Sequence, residues 1–398
     1  MTQVLSNRIN SLSESETLAM SKKSNELKAL GYDVINLSLG EPDFNTPDPI
    51  KKAAKVAIDK DFSHYTPVAG YKDLREAISD KFKRENNLNY AWDEIVVSTG
   101  AKHSIANAVL CLVNPGEEVV VPAPYWVSYK EIIKMAEARA IYIPTTIESD
   151  FKITKQQLEA AITSKTKLLM FSSPCNPTGS VYSKEELKMI ADVVAKHPQM
   201  YILSDEIYEH INFVGKHESI AQFENIRDRV ITVNGVSKGY AMTGWRIGYI
   251  GAPKFICQAV EKLQSQFTSG TCSIAQRAAI EAMHLSKDVT SDMVKTFLSR
   301  RDLVLQMMKD IPGVKTNTPQ GAFYIFADIS SYFGKSDGET TIKCPNDLSQ
   351  YLLNKAYVAL VSGEPFGDEN CIRISYATSD TILIQAVERI KRAMAKLV

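Results

Sequence analysis

Four short apolar runs in this chain each end in polar residues whose types suit chemistry. In the stretch SKGYAMTGWRIGY, Ser237 to Tyr249, Lys238 follows the run RVITVNGV. A partly desolvated ammonium there has a depressed pKa and can form a Schiff base with a carbonyl. Ser237 and Arg246 are spaced to hold a phosphate beside it. Taken alone, Lys238 also reads as a snorkelling surface lysine, the commoner fate of that residue. In EIVVSTGAKHS, Ser98, Thr99, Gly100, Ala101 and Lys102 fall at a strand-to-helix turn, where open backbone amides favour an anion; a plain turn is the alternative. FSSPCNPTG presents Asn176 from a rigid loop, or is simply a turn. YILSDEIYEH puts Asp205 directly after an apolar strand, with Tyr208 three residues on. A carboxylate in that position needs a partner or drifts towards its neutral form, unless it only caps a helix.

Together these pieces describe one ligand. An aldehyde for a lysine, a phosphate for a helix N-terminus with Ser and Arg, and a ring nitrogen for a carboxylate combine with a phenolic oxygen for Asn and Tyr donors. They add up to pyridoxal 5'-phosphate. The paired carboxylate keeps the ring nitrogen protonated, so that the ring can accept electrons when the substrate loses its α-proton.

The elements that must position these groups follow from periodicity. Runs such as EEVVVP, TKLLMFSS and MYILSDE alternate with amphipathic stretches such as AKHSIANAVLCLV and SKEELKMIADVVAKH. That alternation predicts a mainly parallel sheet covered by helices over roughly residues 45 to 285. In such a sheet, ligands bind beyond the carboxyl ends of the strands. A long helical pattern from about Ile274 to Met308, the run GAFYIFADI, the helix NDLSQYLLNKA, the strand CIRISYA and a helix from Asp380 predict a smaller α+β domain. The helix ETLAMSKKSNELKAL, stopped by Gly31, is expected to join it from the other end.

Composition narrows the function class. The 398 residues carry 46 Lys plus Arg and 46 Asp plus Glu, so no global field recruits nucleic acid or an anionic membrane. Six cysteines lack CxxC or metal-ligand spacing, which predicts reduced thiols, no metal site and a cytoplasmic protein. No run approaches the ~20 apolar residues of a membrane span.

The ordered landmarks LSLGEPDF, HYTPVAG, STGAKHS, PYWVSY, NPTG, SDEIYEH, SKGYAMTGWRIGY, GAFYIF and IRISYA resemble those of class I aminotransferases, pyridoxal phosphate enzymes of fold type I, over nearly the whole chain. The resemblance implies an α/β fold with a mainly parallel seven-stranded sheet between helices, plus a smaller α+β domain. It implies an N-terminal arm over 1–14, a small domain over 15–45 and 286–398, and a large cofactor-binding domain over 46–285. Lys238 would be the Schiff-base lysine and proton shuttle, Asp205 the partner of the ring nitrogen, and Asn176 and Tyr208 the partners of the phenolic oxygen. Gly100, Ala101, Lys102, Ser237 and Arg246 would surround the phosphate, with Tyr65 reaching it from the second subunit of a homodimer with shared active sites. Trp126 would stack on the ring, and Arg373 would grip the substrate α-carboxylate with the Gly40 backbone and Asn176.

Substrate choice rests on a finer likeness. SQFTSGTCS lacks the arginine by which animal-type aspartate aminotransferases bind the side-chain carboxylate. The chain instead resembles the bacterial branch, in which Lys102, Ser15 and Thr17 would receive it. That implies ping-pong amino transfer from L-aspartate to 2-oxoglutarate. Prephenate or aromatic amino acid transamination is the alternative, and a pyridoxal phosphate β-lyase a more distant one. The aminotransferase-like half of a transcription regulator would need a DNA-binding domain, for which the N-terminal segment is too short and insufficiently basic.

Overall fold

The computed structural model describes residues 4–286 and 288–398. Seven strands build the main sheet: β1 (Ile95–Ser98), β2 (Glu118–Ala123), β3 (Arg139–Pro144), β4 (Thr166–Ser172), β5 (Tyr201–Asp205), β6 (Val230–Gly235) and β7 (Gly248–Gly251). Their spatial order is β1-β7-β6-β5-β4-β2-β3. All neighbours are parallel except β7, which runs antiparallel to both β6 and β1. Because β7 reverses twice, β1 points the same way as β4, β5 and β6. Their carboxyl ends therefore open on one edge of the sheet, where the singled-out polar residues stand.

The central strands are buried on both faces, which is why IVVS, VITVNG and LLMF read as continuous apolar runs without alternation. Only the edge strand β3 is largely open to solvent. One apolar cluster packs Ile50, Leu74, Phe82 and Ile190 against Val97, Val120 and Ile202 of the sheet; another packs Ile105, Val109, Tyr129 and Ile256 against Val96, Val121 and Leu203. Burying each such aliphatic side chain contributes about 1.5–3 kcal/mol.

A second, antiparallel sheet runs Val361–Ser362, Cys371–Ser375, Tyr324–Asp328, Lys315–Thr316. Helices Asp288–Met308, Pro345–Ala356 and Asp380–Met394 form its core with Phe323, Ile325 and Ile374. The helix Glu16–Ala29 does end before Gly31, at φ +92, and the strand Ile35–Asn36 after it pairs in parallel with Val358–Ala359. This pairing ties the N-terminal segment to the C-terminal part of the chain.

One expectation needs correcting. The helical pattern from Ile274 to Met308 is two helices, Ser273–His284 and Asp288–Met308. Leu285 adopts an extended conformation and ends the first. The Ser286 hydroxyl accepts the Asp288 amide at 3.3 Å just ahead of the second. Among the described residues, no helix is long and apolar enough to cross a membrane.

Candidate active site

The turn after β1 sets the first wall. Gly100 has φ +84, and a Cβ on it would fall on the Arg246 guanidinium, so only glycine lets that side chain lie across the turn. Helix Ala101–Leu112 begins immediately after it, and its first backbone N–H groups lack helical partners. Arg246 donates to the Thr243 carbonyl at 2.7 Å and forms no ion pair among the described residues. Ser237, two residues past the end of β6, is buried and lines the same cavity.

β5 delivers Asp205 to the floor. Its carboxylate accepts the Tyr129 hydroxyl at 2.9 Å and the Ile207 amide at 3.3 Å. No helix follows Asp205, so the capping alternative falls away. Burial pushes its pKa up from 3.8 to about 6, against the downward pull of the Tyr129 hydrogen bond. Three residues on, the Tyr208 hydroxyl bonds that of Tyr324 at 2.7 Å. Burial raises the Tyr208 pKa well above its ordinary value, and Tyr324 adds to this.

Lys238 leaves β6 half-buried, with its Nζ turned inward to the Gly40 carbonyl at 2.5 Å and 5.8 Å from the centre of the Tyr208 ring. It is no surface lysine. Burial lowers its pKa from 10.5 to about 8, with Arg246 and Arg373 acting in the same sense and Glu41 and Asp205 opposing. A sizeable neutral amine fraction is therefore present near physiological pH.

Arg373, on the strand Cys371–Ser375, is 2% exposed. Its guanidinium donates to Asn176 Oδ1 at 3.0 Å and to the Ser38 carbonyl at 2.5 Å, and lies over the rings of Tyr324 and Phe366. Nε has no partner, and no carboxylate pairs with this buried cation among the described residues. Of five N–H donors, two are used. Leaving a charge so placed is costly unless an anion arrives to meet it.

These groups line one cavity of about 250 Å³. Its wall includes Ser15, Thr17, Gly40, Ala101, Lys102, Trp126, Asn176, Asp205, Tyr208, Ser237, Lys238, Arg246 and Arg373. Four cations thus face a single carboxylate, which marks the cavity as a receptor for anionic groups. Lys102 stands over the Trp126 ring at 5.1 Å, and partial burial lowers its pKa, helped by Arg246. Gly100 lies behind the wall, and Tyr65 lies outside it at 98% exposure. Sequence reasoning missed Tyr129, Tyr324 and Ser38. Tyr129 carried a signal in its helical spacing behind Trp126, whereas Tyr324 lies inside an apolar strand and gave none.

Comparison with known proteins decides the family. The model of aminotransferase class I and II matches residues 32–390. The chain belongs to that family. This aminotransferase is 49% identical, over 99% of its length and 83% of the relative's, to a bifunctional aspartate aminotransferase and glutamate/aspartate-prephenate aminotransferase of Petunia hybrida. It is 45% identical to the aspartate/prephenate aminotransferase of Cereibacter sphaeroides, over 99% of each. Among solved structures, the aspartate aminotransferase of Rhizobium meliloti superposes with a TM-score of 0.96 at 41% identity over 99% of each chain. That of Thermus thermophilus with maleate gives 0.92 at 37% identity, over 98% of this chain and 100% of the other. The fold is accordingly that of the fold type I pyridoxal phosphate-dependent transferases. The family implies that cofactor, and the cavity of this aminotransferase suits it: an inward lysine, a buried carboxylate, and Arg246 and Arg373 without ion pairs among the described residues, with the orphaned Arg373 Nε left for a further anion.

Proposed function

We propose that this protein is a pyridoxal phosphate-dependent aspartate aminotransferase, which moves the amino group of L-aspartate to 2-oxoglutarate in a ping-pong cycle, releasing oxaloacetate and L-glutamate. The observation that carries the reading is the cavity with four cations and one carboxylate. A cofactor phosphate and a dicarboxylate substrate supply the three anionic groups that such a site calls for. The relatives named for aspartate, and the Thermus structure with maleate, support the same substrate class.

In this reading Gly100, Ala101, Lys102, Ser237 and Arg246 hold the phosphate, and Trp126 covers the ring. Asp205 holds a proton on the ring nitrogen, its own charge maintained by Tyr129. Asn176 and Tyr208 bind the phenolic oxygen. The cofactor's role when bound is to accept electrons as the substrate α-C–H bond breaks. Lys238 Nζ would hold the cofactor at its aldehyde carbon and would carry the substrate α-proton. Arg373 binds the α-carboxylate with Asn176 and the Gly40 backbone, and Lys102, Ser15 and Thr17 receive the side-chain carboxylate.

The working unit is a homodimer. Tyr65 is nearly fully exposed and outside its own cavity, which supports a role at the partner's phosphate. We assign an N-terminal arm to residues 1–14, a small domain to 15–45 and 286–398, and the cofactor-binding domain to 46–285. Six unpaired cysteines support a cytoplasmic location.

The experiment is an amino-donor panel with 2-oxoglutarate: aspartate, phenylalanine, tyrosine and alanine, with prephenate run as acceptor. Aspartate should give the highest kcat/KM; alanine or an aromatic donor leading would refute the assignment. A prephenate activity is the second reading. It is favoured by the relatives named for both aspartate and prephenate.

Two substitutions separate the carboxylate sites. Lys102→Ala should cut kcat/KM for aspartate and glutamate by about 10-fold to 100-fold more than for a neutral donor, the worth of one charged hydrogen bond. Equal losses for all donors would confine Lys102 to the phosphate. Arg373→Lys keeps the charge and loses the fork, so KM should rise by roughly the same factor for every donor. An unchanged KM would remove Arg373 from the α-carboxylate.

A further inference from the structure

A second group of charges is buried outside the cavity lining. The side chains of Lys81, Glu85 and Glu209 are at most 3% exposed. Lys81 forms an ion pair with Glu209, donates to Asn86 at 2.9 Å and lies 3.8 Å from Glu85. Asn86 donates to the other Glu209 oxygen at 2.7 Å. Burial raises the pKa of Glu209, but the attraction of Lys81 and its neighbours outweighs this and holds the carboxyl well below its ordinary range. Such a cluster is poor evidence for added stability, because desolvation offsets most of the attraction; its better-attested use is to fix one arrangement.

Its placement indicates which arrangement. Glu85 and Asn86 lie on a π-helical turn, Phe82–Asn86, a rare feature that is frequent near functional sites. Glu209 and His210 end the segment that begins with Asp205 and Tyr208. His210 Nε2 bonds Glu85 at 2.9 Å and lies 3.5 Å from Glu209. The other edge of the imidazole faces Gly239, the residue after Lys238, so closely that a Cβ there would collide with Nδ1. The Tyr240 ring meets it edge-on at 5.2 Å.

We propose that His210, clamped by Glu85 and Glu209, is a positioning residue that holds the turn bearing Lys238 at a fixed distance from the segment bearing Asp205 and Tyr208. The inference rests on Lys238 being the reactive lysine. His210 touches neither substrate nor cofactor; it acts through the Gly239 backbone. A displacement of about 1 Å at the reacting amine can cost on the order of 100-fold in rate, so a rigid spacer between the two segments has a kinetic consequence.

The test is a cycle of His210→Ala, Gly239→Ala and the double variant in the cofactor-loaded protein, with His210→Gln as the conservative change. His210→Ala should lower kcat for aspartate by roughly 10-fold to 100-fold with KM nearly unchanged, because Arg373 is undisturbed. It should also weaken the affinity of apoprotein for added pyridoxal phosphate. His210→Gln, which keeps an N–H for Glu85, should restore most of kcat. Gly239→Ala should be harmful with His210 in place and about fivefold or more less harmful without it, the mark of direct contact. A kcat for His210→Ala within about twofold of wild type, or an equal penalty for Gly239→Ala in both backgrounds, overturns the proposal. So does a loss that only follows a falling Tm. Where His210→Ala does not fold, the same cycle with His210→Gln carries the decision. A wild type that fails to bind pyridoxal phosphate at Lys238 would instead overturn the functional reading itself.

Discussion

Replacing Lys238 with alanine should lower transamination of aspartate by roughly 10⁴-fold or more, since the proposed function asks one residue both to hold the cofactor and to move the α-proton. The structure supplies the reason that no neighbour substitutes. Among the four cations lining the cavity, Arg246 and Arg373 cannot deprotonate, and Lys102 stands over Trp126 at the exposed side. Only Lys238 combines an inward Nζ with a pKa brought down to about 8 by burial. Lys238→Arg, which keeps charge and length but not a neutral amine, should be as inactive as the alanine variant. Steady-state turnover and the lysine-linked cofactor absorbance check both; turnover in Lys238→Ala within tenfold of wild type would remove the assignment, with "tenfold" here about 1.4 kcal/mol of barrier.

Asp205→Asn has the next largest effect, and it has two arms with opposite signs. Activity should fall by roughly 10²–10³-fold, because the neutral amide no longer holds a proton on the ring nitrogen where charge develops. Stability of the cofactor-free protein should move the other way. Burial raises the Asp205 pKa from 3.8 to about 6, so the folded state keeps a proton that the unfolded chain has already released between those values. Wild-type apoprotein therefore loses stability as pH rises from about 4 to 6, and the whole penalty is present above pH 6. Two pKa units correspond to ~3 kcal/mol at most. Urea denaturation should find the Asn variant more stable than wild type at pH 7 to 8, with the difference vanishing near pH 4. A variant less stable than wild type at pH 7 would show that the buried carboxylate is compensated within the protein.

The parts of the site visible in the sequence are those where chemistry and strand ends coincide. Lys238, Asp205 and Asn176 each follow an apolar run, and a polar residue beyond a buried strand is conspicuous. Arg373 is the instructive opposite. It lies within the strand Cys371–Ser375, where a lone arginine reads as surface-paired, and only the ordered family landmarks pointed to it. β7 illustrates a second kind of loss: GYIG is too short and too glycine-rich to stand out, yet its antiparallel insertion aligns β1 with β4, β5 and β6. Helical periodicity also runs unbroken through residues 274 to 308, because the break that begins at the C-cap Leu285 leaves the apolar stripe intact. The Lys81, Glu85 and Glu209 cluster was hidden for a different reason. Each member reads as an ordinary solvated charge, and their meeting across 128 positions of sequence is a property of the fold alone.

The central claim is amino transfer between two dicarboxylates through this one cavity. Its most direct measurement supplies the purified protein with pyridoxal phosphate, L-aspartate bearing isotopically labelled nitrogen, and 2-oxoglutarate, then follows the label by mass spectrometry. The expected result is labelled glutamate and oxaloacetate in equal amounts, with no product when 2-oxoglutarate is omitted beyond one turnover per site. Label released as ammonia, or pyruvate formed without the acceptor, would contradict it.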